Sequence, residues 1–327
     1  MSHDLSIIIV STNEAHWLRR CLDTVYAHAG SANLDVVVVD NESSDGAAEL
    51  VERHFPLARV VQCRNRGFPH ANNRALMTPL ARYVLFLNPD TEVVEGEFGE
   101  LVDLLDARPE VGLLGAKQLT GDGQLFPTIR RFPNAARALG EALTSEGMPG
   151  RPSWVGDREL DPRNYERDRE CDWTVGAFML ARREALLSSG FMDERFFLYS
   201  DEPDLCLRLR QAGWLIMHSP VMTIVHHAGK AGVKPRLAAQ EAYARRLYAQ
   251  KHFAPAHRLL YIAAVAIRYG LRAVAVRDRS RRAAARSAFW TVLGRSAPPF
   301  GAPPPTSIDP ATVPGSVSPM EAAGSRR

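Results

Sequence analysis

Four valines at positions 36–39 run into Asp40, Asn41, Glu42, Ser43, Ser44, Asp45 and Gly46. A carboxylate at the end of a buried strand accepts hydrogen bonds from nucleoside hydroxyls, as the acidic residue of dinucleotide folds does, so Asp40 is a candidate nucleoside contact. Ser43, Ser44 and Asp45 equally suit an Asx turn and a helix cap. A second carboxylate, Asp90, follows Asn88 and Pro89 after another apolar run. Mg²⁺ or Mn²⁺ needs only one or two protein carboxylates beside phosphate oxygens, and His226 or His227 offers a neutral imidazole as a further ligand. Asp201, Glu202 and Asp204 form a third group, three acids within four residues ahead of a helical stretch. Acids there complement the positive end of a helix. Their mutual repulsion also raises a carboxyl pKa toward what a general base acting on a hydroxyl requires.

Other chemistries are disfavoured by what is missing. No GxGxxG opens the first helix and no GxxxxGK[ST] occurs, which argues against a nicotinamide dehydrogenase and a P-loop enzyme. No GxSxG elbow marks an activated serine. Cys21, Cys63, Cys171 and Cys206 form no CxxC pair, so neither a zinc knuckle nor a disulfide framework is expected and a reducing compartment fits best. The 327 residues carry 40 Lys/Arg against 37 Asp/Glu, too even a balance to expect nucleic acid as partner.

These groups need a scaffold, and the patterning supplies one. Short β-branched runs at 5–10, 35–39, 59–61 and 83–87 alternate with helix-length spacing at 15–28, 46–54 and 69–78, which predicts an α/β fold with a mostly parallel sheet flanked by helices. Ligands of such sheets bind at the carboxyl ends of the strands, where the polar segments 11–14, 40–45, 65–68 and 88–90 fall. Prolines at 127, 133, 149, 152 and 162 make 109–172 read as an irregular insertion. Order returns with a strand over 172–182, a helix over 183–189, a helix over 203–212 and a last strand over 221–226.

The segments VSTNE, VVVVDNESSDG, NRGFPHANN, LFLNPDT, DWTVGAFMLARREAL, GFMDERFFLYSDEPDLCLRLRQAGW and VHHAGK occur in that order. Together they resemble the family 2 inverting glycosyltransferases, most closely their bacterial rhamnosyltransferase branch, over residues 5–230. The resemblance implies a GT-A fold and a nucleotide-sugar donor held by Thr12, Glu14, Asp40, Asn41, Asn65, Gly67, Phe68, Asn72 and Asn88. It places Asp90, the last acid of a metal motif that here keeps one of its two usual acids, with His226 at an Mg²⁺ or Mn²⁺ and diphosphate site. Glu202 takes the position of the base, with Asp201 as the alternative. Trp173, Gly176, Ala177 and Asp204 fall in elements that shape the acceptor pocket, although a Trp beside a strand is also ordinary core packing.

The resemblance divides the chain into a transferase domain (1–235), a basic helical extension (236–295) and a Pro-rich tail (296–327) expected to be disordered. From Lys251 onward twelve Lys/Arg stand against three Asp/Glu. Leu259, Ile262, Val265 and Ala266 share a helical face beside Arg268, Arg272, Arg277, Arg279, Arg281 and Arg282, a pattern for an anionic membrane surface or, alternatively, for packing on the domain or on a homodimer mate. With no signal peptide or spanning segment apparent, the expectation is a cytoplasmic protein, peripheral on the inner membrane face. The expected reaction moves rhamnose from dTDP-rhamnose to a saccharide or polyprenyl-linked acceptor of a cell-surface polymer. A UDP- or GDP-sugar donor and a non-catalytic partner of a membrane assembly are the competing readings.

Overall fold

A computed structural model describes residues 3–78, 80–144, 155–227 and 234–301. Residues 302–327 of the Pro-rich tail, and Ala228, Gly229 and Lys230 of the VHHAGK segment, lie outside the described residues. In chain order the elements are β1 (Leu5–Ser11), α1 (Ala15–Ala27), β2 (Leu34–Asn41), α2 (Ala47–His54), β3 (Arg59–Cys63), α3 (Phe68–Leu76), β4 (Tyr83–Leu87), β5 (Thr91–Glu95), α4 (Phe98–Ala107), β6 (Val111–Thr120), α5 (Ala135–Leu143), β7 (Arg169–Glu170), β8 (Phe178–Arg182), α6 (Arg183–Ser189), α7 (Asp201–Gln211) and β9 (Leu215–His226). Three helices follow, α8 (Pro235–His252), α9 (Pro255–Ala275) and α10 (Arg279–Val292).

β1 and β2 are unbroken apolar runs because both sheet faces are covered, the condition under which parallel strands lose their polar alternation. Ile7, Ile9, Val36 and Val38 join one core with Leu18, Leu22 and Val51 of α1 and α2. Ile8, Val10, Val37 and Val39 point the other way, to Ala71 and Ala75 of α3 and to Leu205 and Leu209 of α7. The sheet order is β3-β2-β1-β4-β8-β6-β9-β5, with β7 also on β9. β1 to β4 are parallel, β8 is antiparallel between β4 and β6, and β6 runs parallel to β9. The carboxyl ends of β1, β2, β3, β4, β6 and β9 therefore share one edge.

Three expectations need correction. The irregular stretch contains β6, a ten-residue strand in the middle of the sheet. Its Gly112 and Gly115 are packing gaps: a Cβ on Gly112 would lie 2.6 Å from Cβ of Trp214, and one on Gly115 would strike the Thr174 hydroxyl. The strand expected over 172–182 begins only at Phe178, and the residues before it cross the sheet edge as a loop, with Trp173 bridged to Arg130. The last strand begins at Leu215; its register against β6 jumps from Ser219 to Thr223, bulging out Pro220, which has no N–H for the ladder.

The last three helices pack around Ala242, Tyr261, Val265, Tyr269 and Ala288 and take in Ala138 of α5. A smaller cluster joins Ala244 and Tyr248 of α8 to Phe196. The helical extension is thus built onto the elements that lead into α7.

Candidate active site

On the β1–β3 side, two loops are laced together. Asp40, at the end of β2, accepts the Ser43 N–H at 2.9 Å. Asn41 donates to the Thr12 hydroxyl at 3.1 Å, and Asn13 accepts the Ser44 N–H at 2.7 Å. Asn13 and Glu42 both take positive φ, which lets these turns fold back on themselves. Beside them opens a cavity of about 520 Å³ whose walls include Asp40, Glu42, Ser43, Gln62, Cys63 and Arg64. Asn65 is tied nearby, its N–H donating to Glu42 at 3.0 Å.

Gly67 and Asn72 have other work. Gly67 has φ +103°, and a Cβ there would collide with the Phe197 backbone, whose carbonyl accepts the Phe68 N–H at 2.8 Å. The close approach this glycine permits is therefore to the protein's own chain. Asn72 is fully buried and donates to the Phe68 carbonyl within α3 at 2.9 Å. Its Oδ1 has no hydrogen-bond partner among the described residues.

The centre of the edge holds Asp90 and His226. β5 pairs antiparallel with β9 so that Thr91 lies opposite His226, which brings His226 Nε2 to 3.1 Å from Asp90 Oδ1. Asn88 stands 3.4 Å from the same nitrogen. His227 points elsewhere, to Glu92 at 2.9 Å, and stacks on Trp17 with ring centroids 4.4 Å apart, so the choice between the two histidines falls on His226. Burial and the Asp90 charge push Glu14 up to about 7, partly opposed by His226. Among the described residues no three His, Cys, Asp or Glu side chains cluster as a metal cage. A carboxylate and an imidazole, both nearly buried, still fit a hard divalent ion that takes its other ligands from diphosphate oxygens and water.

Beyond β8 lies the third group. Phe197, Tyr199 and Ser200 all have φ between 59° and 69°, a concentration of left-handed residues that persists only where the surroundings enforce it. Gln240 of α8 does so from one side, donating to the Phe196 carbonyl at 2.6 Å and the Leu198 carbonyl at 3.2 Å. The Gly67–Phe68 backbone does so from the other. This bend starts α7 with Glu202, which accepts the Gly176 N–H at 3.3 Å.

Glu202 opens into a cavity of about 350 Å³ walled also by Arg130, Trp173, Tyr199 and Ser200, with Arg137 of α5 and Arg245 of α8. Burial raises the Glu202 pKa, held back by the Gly176 N–H, the Arg130 charge and a hydrogen bond from Asp201. Asp201 is buried more deeply and is pushed well above the carboxylate range, first by burial and then by Glu202. Of the pair, Glu202 is thus the carboxyl whose anion is the better stabilised.

The expected acceptor residues separate. Trp173 is in the cavity wall, its indole N–H on the Arg131 carbonyl at 2.9 Å and its ring beneath Arg130. Gly176 acts on Glu202: a Cβ would sit 3.0 Å from Oε1. Ala177 is buried and its carbonyl accepts the Asn88 N–H at 3.1 Å. Asp204, fully buried, belongs to an ion cluster with Arg208 (2.8 Å), Lys251 (2.6 Å) and His252 (2.7 Å) and does not face the cavity. Sequence reasoning missed the arginines of this wall; Arg130 and Arg137 lay in the stretch read as irregular, and Arg245 in the extension.

The sheet thus gathers a cavity beside Asp40, an Asp90–His226 pair and the Glu202 carboxylate along one edge. The profile of "Glycosyl transferase family 2" matches residues 6–187, and the chain belongs to this family and is a glycosyltransferase. It is 28% identical over 241 residues to an N-acetylglucosaminyl-diphospho-decaprenol L-rhamnosyltransferase of Mycobacterium tuberculosis, covering 69% of this chain and 77% of that one. It is 23% identical over 235 residues to the rhamnosyltransferase WbbL of Escherichia coli, covering 68% and 83%. Among solved structures, S. aureus TarS in complex with UDP-GlcNAc shares the fold with TM-score 0.54 at 15% identity, over 89% of this chain and 80% of that one. The mannosyltransferase PcManGT of Pyrobaculum calidifontis, in complex with GDP-Man and Mn²⁺, aligns with TM-score 0.50 at 17% identity, over 92% and 78%.

Proposed function

We propose that this chain transfers rhamnose from dTDP-rhamnose to a lipid-linked saccharide at the inner face of a membrane, with inversion at the anomeric carbon. The observation that carries the reading is the placement of Glu202 at the mouth of one cavity while Asp40 lines another at the same sheet edge. The sugar follows from the two rhamnosyltransferase relatives.

In this mechanism Asp40 and the laced loops hold the nucleoside. Glu202 takes the proton of an acceptor hydroxyl; the oxygen's electron pair forms the new bond to the anomeric carbon as the bond to the diphosphate breaks, and the nucleoside diphosphate departs with that electron pair. One displacement inverts the centre and no covalent enzyme intermediate is needed. A divalent ion held by Asp90 and His226 would supply neutralisation of the diphosphate charge.

The membrane part of the reading rests on α9, though not on the face expected from the sequence: Val265 and Ala266 are buried in the core shared with α8 and α10, and Ile262 packs against it. Leu260, Ile267, Leu271 and Val274 are exposed at spacings of seven, four and three residues, a single helical stripe. Arg277, Arg279, Arg281, Arg282 and Arg286, all exposed, follow it with Asp278 the one acid among them. An apolar stripe beside a basic segment suits an anionic lipid surface. No helix among the described residues is long and apolar enough to cross a membrane.

The test is a thermal-shift and nucleotide-release panel of dTDP-, UDP- and GDP-sugars with Mg²⁺, Mn²⁺ or chelator. A metal-dependent response to dTDP-rhamnose supports the donor. A response confined to a UDP- or GDP-sugar replaces the donor, and silence across the panel shifts the balance to a non-catalytic role.

A further inference from the structure

We propose that the arginine-walled cavity in front of Glu202 is a diphosphate site that seats the ester linking the acceptor saccharide to its lipid. The proposal rests on the assignment of the Glu202 side to the acceptor and adds which part of the acceptor that side recognises.

Arg130, Arg137, Arg158 and Arg245 all line this cavity. Glu202 apart, the carboxylates of the wall already have cations. Asp157 lies 3.3 Å from Arg130, Glu241 lies 3.0 Å from Arg245, and Glu141 lies 2.6 Å from Arg268 just behind. Arg137 is different: among the described residues its guanidinium meets only the Phe132 carbonyl, at 2.6 Å, and pairs with no carboxylate. Arg130 is 7% exposed, and its Nε has no acceptor among the described residues. Buried guanidinium N–H groups without acceptors are costly unless an anion arrives. The planar forks of arginine match the paired oxygens of a phosphate ester better than the scattered hydroxyls of a sugar.

The neighbourhood selects a lipid ester over a nucleotide. Tyr261 of α9 is buried in the cavity wall, whereas its chain neighbours Leu259 and Leu260 stand 70% and 62% exposed. A diphosphate in the cavity therefore has an apolar surface within one helical turn for the chain attached to it. The nucleoside has its own place beside Asp40.

The experiment is calorimetric titration of the full chain with geranyl diphosphate, inorganic pyrophosphate and dTDP, repeated with Arg137→Gln and Arg137→Lys. Geranyl diphosphate is expected to bind more tightly than pyrophosphate. Arg137→Gln is expected to weaken both by about 10-fold or more, with Arg137→Lys in between and dTDP unchanged. Matching thermal melts of the variants show that folding is intact. Equal affinity for geranyl diphosphate in wild type and Arg137→Gln overturns the site. Loss of dTDP binding in Arg137→Gln overturns it too, by placing the donor in this cavity. Pyrophosphate binding more tightly than the geranyl ester overturns the lipid assignment. Failure of dTDP to bind the wild type counts against the dTDP-rhamnose donor and leaves the geranyl comparison intact.

Discussion

Asp201 and Glu202 are adjacent carboxyls at the first turn of α7, yet their surroundings act on them differently. Burial and the Glu202 charge push Asp201 well above the carboxylate range, whereas at Glu202 the Gly176 N–H and the Arg130 charge oppose the rise that burial causes. Burial still raises Glu202, and a base works only when ionised, so activity falls as pH drops through its raised pKa. The acid limb of kcat/KM is accordingly predicted above the usual glutamate value; a limb at or below that value would contradict the assignment. Gly176 bears on the same atom. In Gly176→Ala the new Cβ lies 3.0 Å from Glu202 Oε1 and must displace it, with kcat expected to fall about 10- to 100-fold while donor KM is unchanged. Loss confined to donor KM would show that Gly176 serves the nucleotide.

At the scale of elements, the strained bend before α7 is held by two helices from distant parts of the chain. The α3 side supplies Gly67, and α8 supplies Gln240 together with Lys251, which bridges Asp193 and Asp204 at 2.7 Å and 2.6 Å. Lys251→Ala leaves these carboxylates short of a donor and is predicted to destabilise the fold by about 1–3 kcal/mol, read as a lowered melting temperature. An unchanged melting temperature would show that α8 does not brace α7. Asp193 and Asp204 are both held below the usual carboxylate pKa, so their contribution is complete at neutral pH and is lost as pH falls through the depressed folded values. The half of the sheet from β1 to β4 was legible because its strands carry short apolar runs, rich in Ile and Val in β1 and β2, between helical periods. β6 was not, because Gly112 and Gly115 look like breakers until Trp214 and Thr174 are seen to fill the space over them. The sequence likewise exposed Asp40, Asp90 and Glu202 as acids at strand or helix ends. Nothing local showed that Asp204 would turn to Lys251 and His252, or that Arg137 and Arg245, more than a hundred residues apart, would line one wall.

For the molecule as a whole, the extension α8–α10 bears on the proposed chemistry from two directions: it completes the Glu202 cavity with Arg245 and Tyr261, and it exposes the apolar stripe of α9. If that stripe docks on lipid, the chain is predicted to co-sediment with vesicles containing anionic phospholipid, more weakly at high salt. Replacing Leu260 and Leu271 together by Glu is predicted to abolish sedimentation while leaving nucleotide binding unchanged; sedimentation undiminished in that variant would contradict membrane docking through α9. The central claim is that Glu202 drives a single inverting displacement between two substrates held at one sheet edge. Its most direct test is transfer from dTDP-rhamnose to a polyprenyl-diphosphate-linked saccharide by wild type and Glu202→Gln, with the anomeric configuration of the product read by NMR. The account predicts an inverted product from wild type and a rate lower by about 10²–10⁴-fold in Glu202→Gln, with donor-induced thermal stabilisation preserved. A retained configuration, or transfer at the wild-type rate by Glu202→Gln, would contradict it.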